Sequence, residues 1–143
     1  MPHAATTLDL LERSREAVTS GYLAPSASAR YLAASLAALR AAAALLAARP
    51  VGRSAADPGA GGPRDVWALT ARSAPDLAEW SERFATVTGH RVLVETGLAR
   101  VGAREADDLL RDAETFVDLV AGRLGVPTAA PSGGRRLVPV RSA

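Results

Sequence analysis

The chain has no cysteine and no lysine, and only 4% of its 143 residues are aromatic. The absence of cysteine excludes disulfides, thiolate metal sites and a cysteine nucleophile, and it agrees with a reducing cytoplasm. With so few aromatic residues, the core is expected to rely on leucine, valine and alanine. Such side chains suit helix-on-helix packing better than a β-sandwich, so we expect an all-α protein.

The formal net charge of +2 is unevenly distributed along the chain. Residues 125–143 contain Arg135, Arg136 and Arg141 and no acid, and all 17 basic residues of the chain are arginine. Subtracting these three leaves 14 arginines against 15 acidic residues in residues 1–124, a net charge of −1. The body is therefore close to neutral, and the basic tail is interpreted as a solvated end with weak, nonspecific affinity for phosphate.

No membrane segment is predicted. The most apolar stretch, residues 31–48, is mostly alanine and carries Arg40 near its middle, so we interpret it as a buried bundle helix. Asp9, Glu12 and Glu16 interrupt the N-terminal region, which therefore does not resemble a signal peptide. We expect a cytoplasmic protein that does not enter a membrane.

Apolar residues recur at helical spacing in several segments. A first helix is predicted over residues 7–20, with Thr6 or Thr7 as N-cap and Gly21 as its stop. The second helix is predicted to start at the N-cap Ser26 and to end before Pro50. Four leucines and one alanine of this helix are spaced as a seam facing partner helices: Leu32, Leu36, Leu39, Ala43 and Leu46.

The second half of the chain predicts three further helical segments. A short one covers residues 64–71, and the next is expected to begin with Ser73 as cap and Asp76 at the capping-box position. Gly89 is expected to break that helix. The last helix, residues 102–125, has a continuous apolar stripe: Ala106, Leu109, Leu110, Ala113, Phe116, Val117, Val120 and Leu124.

These segments predict one antiparallel bundle of about four to five helices in residues 1–125. Glycine and proline punctuate residues 50–63, which predicts a flexible loop within the domain. Residues 126–143 are predicted to form a disordered basic tail.

Arg83 and His90 are separated by six residues, FATVTG, and this is the one spacing that suggests a known chemistry. A guanidinium binds phosphate oxygens, and an imidazole titrates near neutral pH. The alternative is a surface arginine and a histidine that follows a helix end. Trp67 and Trp80 lie on apolar stripes and are predicted to be core residues rather than base-stacking platforms.

The acids of the last helix form a second candidate cluster. Asp108 and Asp112 are four residues apart, but no Glu-x-x-His motif accompanies them, and Arg104 and Arg111 are near enough to pair with the acids. A solvated, salt-bridged face is therefore preferred over a metal site for this cluster, which consists of Glu105, Asp107, Asp108 and Asp112. The GAGG of residues 59–62 lacks the Lys-Ser/Thr of a phosphate loop. No metal or cofactor is predicted.

Three segments of the chain resemble a known superfamily. They read RYLAASLAALRAAAALLAAR, VWALTARSAPDLAEW and READDLLRDAETFVDLV, and the last is the most specific. The chain is similar in them to HEPN (higher eukaryote and prokaryote nucleotide-binding) domains, within a small actinobacterial branch. The resemblance implies a helical bundle that dimerises. In many members an Arg-x(4–6)-His motif forms a ribonuclease site at the dimer interface, a role that Arg83 and His90 would take here.

Three functional hypotheses follow. The first is a HEPN-like homodimer that acts as a noncatalytic binding or interaction module in an RNA- or nucleotide-related process. The second is a metal-independent endoribonuclease that uses Arg83 and His90. The third is a structural bundle that docks a protein partner on an exposed apolar strip of the second or last helix.

Overall fold

In the computed structural model, which describes residues 2–49 and 63–127, the chain forms five α-helices and one short 3-10 turn, with no strand in those ranges. The predicted all-α bundle is confirmed. The predicted loop lies outside the described residues except for Pro63, and so does the predicted tail beyond residue 127. The elements are α1 (Pro2–Leu23), α2 (Ala27–Ala47), α3 (Pro63–Ser73), the turn Pro75–Leu77, α4 (Ala78–Glu95) and α5 (Ala103–Arg123).

Helix α2 is the centre of the bundle, because it packs against α1, α3, α4 and α5. It begins as predicted: the Ser26 hydroxyl accepts a hydrogen bond from the Ala29 amide at 3.1 Å. By length and composition α2 is apolar enough to cross a membrane, but half of the qualifying stretch is buried inside the bundle. Core helices of water-soluble proteins have the same character.

The predicted leucine seam of α2 is not its most buried face. Leu32, Leu36, Leu39, Ala43 and Leu46 are only half-buried. The face with no exposure is made of alanines: Ala34, Ala37, Ala38, Ala41, Ala42 and Ala44. Leu32, Leu36 and Leu39 do pack against the core as predicted, but they cover only the margin of the contact, because the small alanine side chains let neighbouring helix backbones approach α2 more closely.

Helix α1 is longer than predicted at both ends. Thr7 is buried within it rather than capping it, and Gly21 lies inside it rather than stopping it. A Cβ atom at Gly21 would lie 2.7 Å from Cδ1 of Leu110 on α5. The glycine therefore allows α1 to pass close to α5.

The predicted capping box at Ser73 and Asp76 does not form. Ser73 is the last residue of α3, and its hydroxyl accepts a hydrogen bond from Arg49 at 2.8 Å. Asp76 forms an ion pair with Arg123 at the end of α5. The break predicted at Gly89 is also absent, because α4 continues through it to Glu95.

Four of the six aromatic residues are gathered in one cluster within a core that otherwise relies, as predicted, on leucine, valine and alanine. Phe84 and Phe116 have ring centroids 5.3 Å apart, and Trp67 stacks on Phe84 at 5.4 Å. The core position predicted for Trp67 is confirmed, since it is 2% exposed. Trp80, half-buried, stacks on Phe84 at 5.9 Å. The last helix forms where predicted, with its apolar stripe buried up to Val120.

Candidate functional site

The continuity of α4 brings Arg83 and His90 to the same side of one helix. Seven residues are close to two helical turns, so the two positions share a face about 10 Å apart along the axis. Both side chains line a single open groove. The structure therefore places the two sequence-predicted residues together within one chain.

This groove lies between α4 and α5, with α2 as its floor. The two walls run in opposite directions: Arg83, early in α4, pairs with Asp112, whereas the later His90 shares the groove with the earlier Glu105. Helices α4 and α5 contact each other mainly through side chains, such as those of Phe84 and Phe116. The groove has a volume of about 540 Å³, a size typical of small-ligand sites. Its lining residues are Tyr31, Arg83, Thr86, Val87, His90, Glu105 and Leu109.

Arg83 is already engaged by an internal anion. Its guanidinium Nη2 lies 2.7 Å from Oδ2 of Asp112, and the two side chains are 45% and 39% exposed. Arg83 and Asp112 also line a second, smaller groove with Glu79 and Trp80. An ion pair this exposed contributes at most about 1 kcal/mol, so another anion can exchange with it.

His90 is half-buried beside Tyr31. The two ring centroids are 6.1 Å apart at an interplanar angle of 76°, an edge-to-face contact. No hydrogen bond of the imidazole occurs within residues 2–49 and 63–127. Its nitrogen atoms are therefore not committed to a partner in the described part of the chain.

Tyr31 and Glu105 are groove residues that the sequence analysis missed. Tyr31 is 3% exposed, and its hydroxyl makes no hydrogen bond within the described ranges. Burial raises the pKa of Tyr31, the Glu105 carboxylate raises it further, and Arg83 acts in the opposite direction. The hydroxyl is therefore a proton donor at neutral pH and lies within the field of both charges.

The acids of α5 are dispersed rather than clustered. Asp108 pairs with the predicted partner Arg111 at 3.7 Å, whereas Asp107 pairs with Arg30 of α2 at 2.5 Å. Asp112 instead binds Arg83. Among the residues that the structure describes, no group of three or more histidine or acidic side chains is arranged to hold a metal ion.

Comparison with known proteins identifies the family. The family model of SAV_6107-like HEPN matches residues 22–121, a range that contains every residue lining the groove. Comparisons with curated proteins and with solved structures gave no match. On the strength of a family match over well more than half of its length, the chain belongs to the SAV_6107-like HEPN family.

Proposed function

We propose that this HEPN domain is a noncatalytic binding module in an RNA- or nucleotide-related process, located in the cytoplasm and acting as a homodimer. The observation that carries the proposal is the ion pair between Arg83 and Asp112. The arginine that would hold a reacting phosphate is paired with a carboxylate of its own chain, which a bound anion can displace but which stays close enough to oppose the growth of negative charge during cleavage. The groove nevertheless has the size and the mixed polar and apolar lining of a binding site.

The charges in the groove argue against cleavage. Metal-independent RNA cleavage needs a base for the ribose hydroxyl, an acid for the leaving oxygen and a cation for the developing phosphate charge. Each protomer has one imidazole in the groove, His90, and its cation is paired with Asp112. Glu105 adds a second carboxylate near the place where a phosphate would react. Such an arrangement suits holding a ligand better than transforming one.

An RNA cleavage assay in EDTA tests the proposal. Purified protein should leave single-stranded RNA intact, and the variants Arg83→Ala and His90→Ala should give the same result as the unaltered protein. Cleavage that persists in EDTA and disappears in both variants would overturn it, because a positioned acid or base contributes about 10²–10⁴-fold to rate.

The second candidate function is the metal-independent endoribonuclease. It is favoured by the placement of Arg83 and His90 in one groove on one helix face. In a dimer, a second groove would supply the second imidazole. Asp112→Asn then provides a sensitive test, because a nuclease whose arginine is freed should cleave faster, whereas a noncatalytic module should remain inactive.

The third candidate is a structural bundle that binds another protein. The half-buried leucine face of α2 favours it, since four leucines are only partly covered by the chain itself: Leu32, Leu36, Leu39 and Leu46. Light scattering after size-exclusion chromatography should report a dimer. A monomer that also captures no partner in a pull-down would contradict both the dimer and the docking hypothesis.

A further inference from the structure

The groove between α4 and α5 has opposite charges at its two ends. Arg83 lies at one end and Glu105 lies beside His90 at the other. Seven residues along either helix separate the ends, which corresponds to about 10 Å. The apolar side chains of Val87 and Leu109 line the groove between them. A ligand that fits this pattern carries an anion at one end, a hydrogen-bond donor at the other and a flat or apolar portion between them.

We propose that the groove binds a ribonucleotide whose base carries an exocyclic amine, with the phosphate at Arg83 and the amine at Glu105. This inference rests on the proposed function. An extended mononucleotide has about the length of the groove. A carboxylate accepts from the amino group of cytosine, whereas uracil presents a carbonyl oxygen there and is repelled. Glu105 is therefore the residue that discriminates between bases.

Tyr31 adds a polar group to the lining of the groove. The residue is 3% exposed, and its hydroxyl has no protein partner in the described part of the chain. The hydroxyl oxygen is not among the buried atoms that lack a partner, so it reaches the open space of the groove. A hydroxyl or carbonyl oxygen of the bound nucleotide can therefore pair with it.

Asp112 competes with the phosphate for Arg83 from the neighbouring smaller groove. Its carboxylate binds the same guanidinium that the phosphate would bind, so the two anions compete for Arg83. Because the internal pair is exposed and weak, phosphate displaces it at modest cost. The carboxylate therefore lowers the affinity for every nucleotide without affecting the choice of base.

Isothermal titration calorimetry with cytidine and uridine 5′-monophosphates tests the inference on the full chain. The two ligands share phosphate and ribose, so their difference reports the base edge. We expect cytidine monophosphate to bind about tenfold more tightly. Glu105→Gln should abolish this preference, because the amide both donates and accepts, whereas Glu82→Gln, an exposed change on α4 outside the groove lining, should preserve it.

Further variants separate the roles of the other groove residues. Arg83→Ala should weaken both nucleotides equally, and Asp112→Asn should tighten both equally. Tyr31→Phe removes only the hydroxyl and should weaken both ligands while leaving thermal unfolding nearly unchanged. The same titrations with short oligocytidylate and oligouridylate show whether the preferred ligand is a free nucleotide or part of a strand.

The outcomes distinguish the inference from the function on which it rests. Equal binding of the two nucleotides, or a preference that survives Glu105→Gln, would overturn the base-recognition role while leaving a nucleotide-binding module. If neither mononucleotides nor oligonucleotides bind to the unaltered chain or to Asp112→Asn, the inference fails together with the RNA- or nucleotide-related function.

Discussion

The hydrogen bond inside the aromatic cluster allows a stability prediction that is specific to one atom. The indole Nε1 of Trp67 donates to the Thr88 hydroxyl at 2.8 Å, and Trp67 is 2% exposed. Thr88→Val keeps the shape of the side chain and a similar helix propensity but removes the acceptor. The buried N–H is then left without a partner, which costs about 1–2 kcal/mol.

The measurement is thermal or urea unfolding of three single variants and one double variant. Thr88→Val should lower the free energy of unfolding, with a fall in Tm of about 4 °C for each kcal/mol. Thr88→Ser retains a hydroxyl and serves as the matched control. In a Trp67→Phe background no donor remains, so Thr88→Val should then have almost no effect.

The coupling energy of this double-mutant cycle shows whether the cost of Thr88→Val comes from the lost hydrogen bond to Trp67. A value of about 1–2 kcal/mol is expected, since the two side chains meet directly. If Thr88→Val were as stable as Thr88→Ser, or if its cost were unchanged beside Trp67→Phe, the reasoning about the orphaned donor would be refuted.

Three further predictions address glycine conformation, a tyrosine pKa and the core. Gly89→Ala, inside α4 with open space around the new Cβ, should raise stability by about 0.5–1 kcal/mol in urea unfolding, whereas Gly97→Ala, at φ +79°, should lower it. The hydrogen bond to Glu114 raises the pKa of Tyr22 to about 12, so Glu114→Gln should lower the midpoint of the phenolate absorbance titration. The folded pKa lies above the ordinary value of 10.0, so the stability from this pair should be complete below pH 10 and be lost as pH rises towards 12; a Tyr22→Phe variant should lack this loss in unfolding measurements. Phe116→Ala, at 0% exposure with three aromatic neighbours, should cost about 3–5 kcal/mol, and a loss below 1 kcal/mol in urea unfolding would contradict the proposed core.

Local patterns predicted the long helices well because their determinants are local. The Ser26 cap and the apolar stripe of α5 are both set by residues within a few positions. The two glycines were interpreted as breaks because glycine has a low helix propensity. At Gly21 tertiary packing overrides that propensity, because a Cβ there would lie 2.7 Å from the end of the Leu110 side chain, which would have to shift. Nothing in the structure explains a glycine at position 89.

The site was harder to predict because it depends on how two helices are aligned. The spacing of Arg83 and His90 is visible in the sequence, and their shared face follows once α4 is continuous. The positions of Asp112 and Glu105 opposite them depend on the antiparallel register of α5 against α4, which no short motif encodes. For the same reason, Tyr31 was overlooked: its role arises only where α2 passes under both helices.

The central position of α2 also has a consequence during synthesis of the chain. Its alanine face is covered mainly by α1, which precedes it, and by α5, which comes last. Helix α2 ends at Ala47 and α5 begins at Ala103, so 103 − 47 = 56 positions must be translated before α5 appears. At roughly 5–20 residues per second this takes about 3–11 s. During those seconds only α1, α3 and α4 are available to pack against α2, so the part of its alanine face that α5 covers in the folded domain stays uncovered.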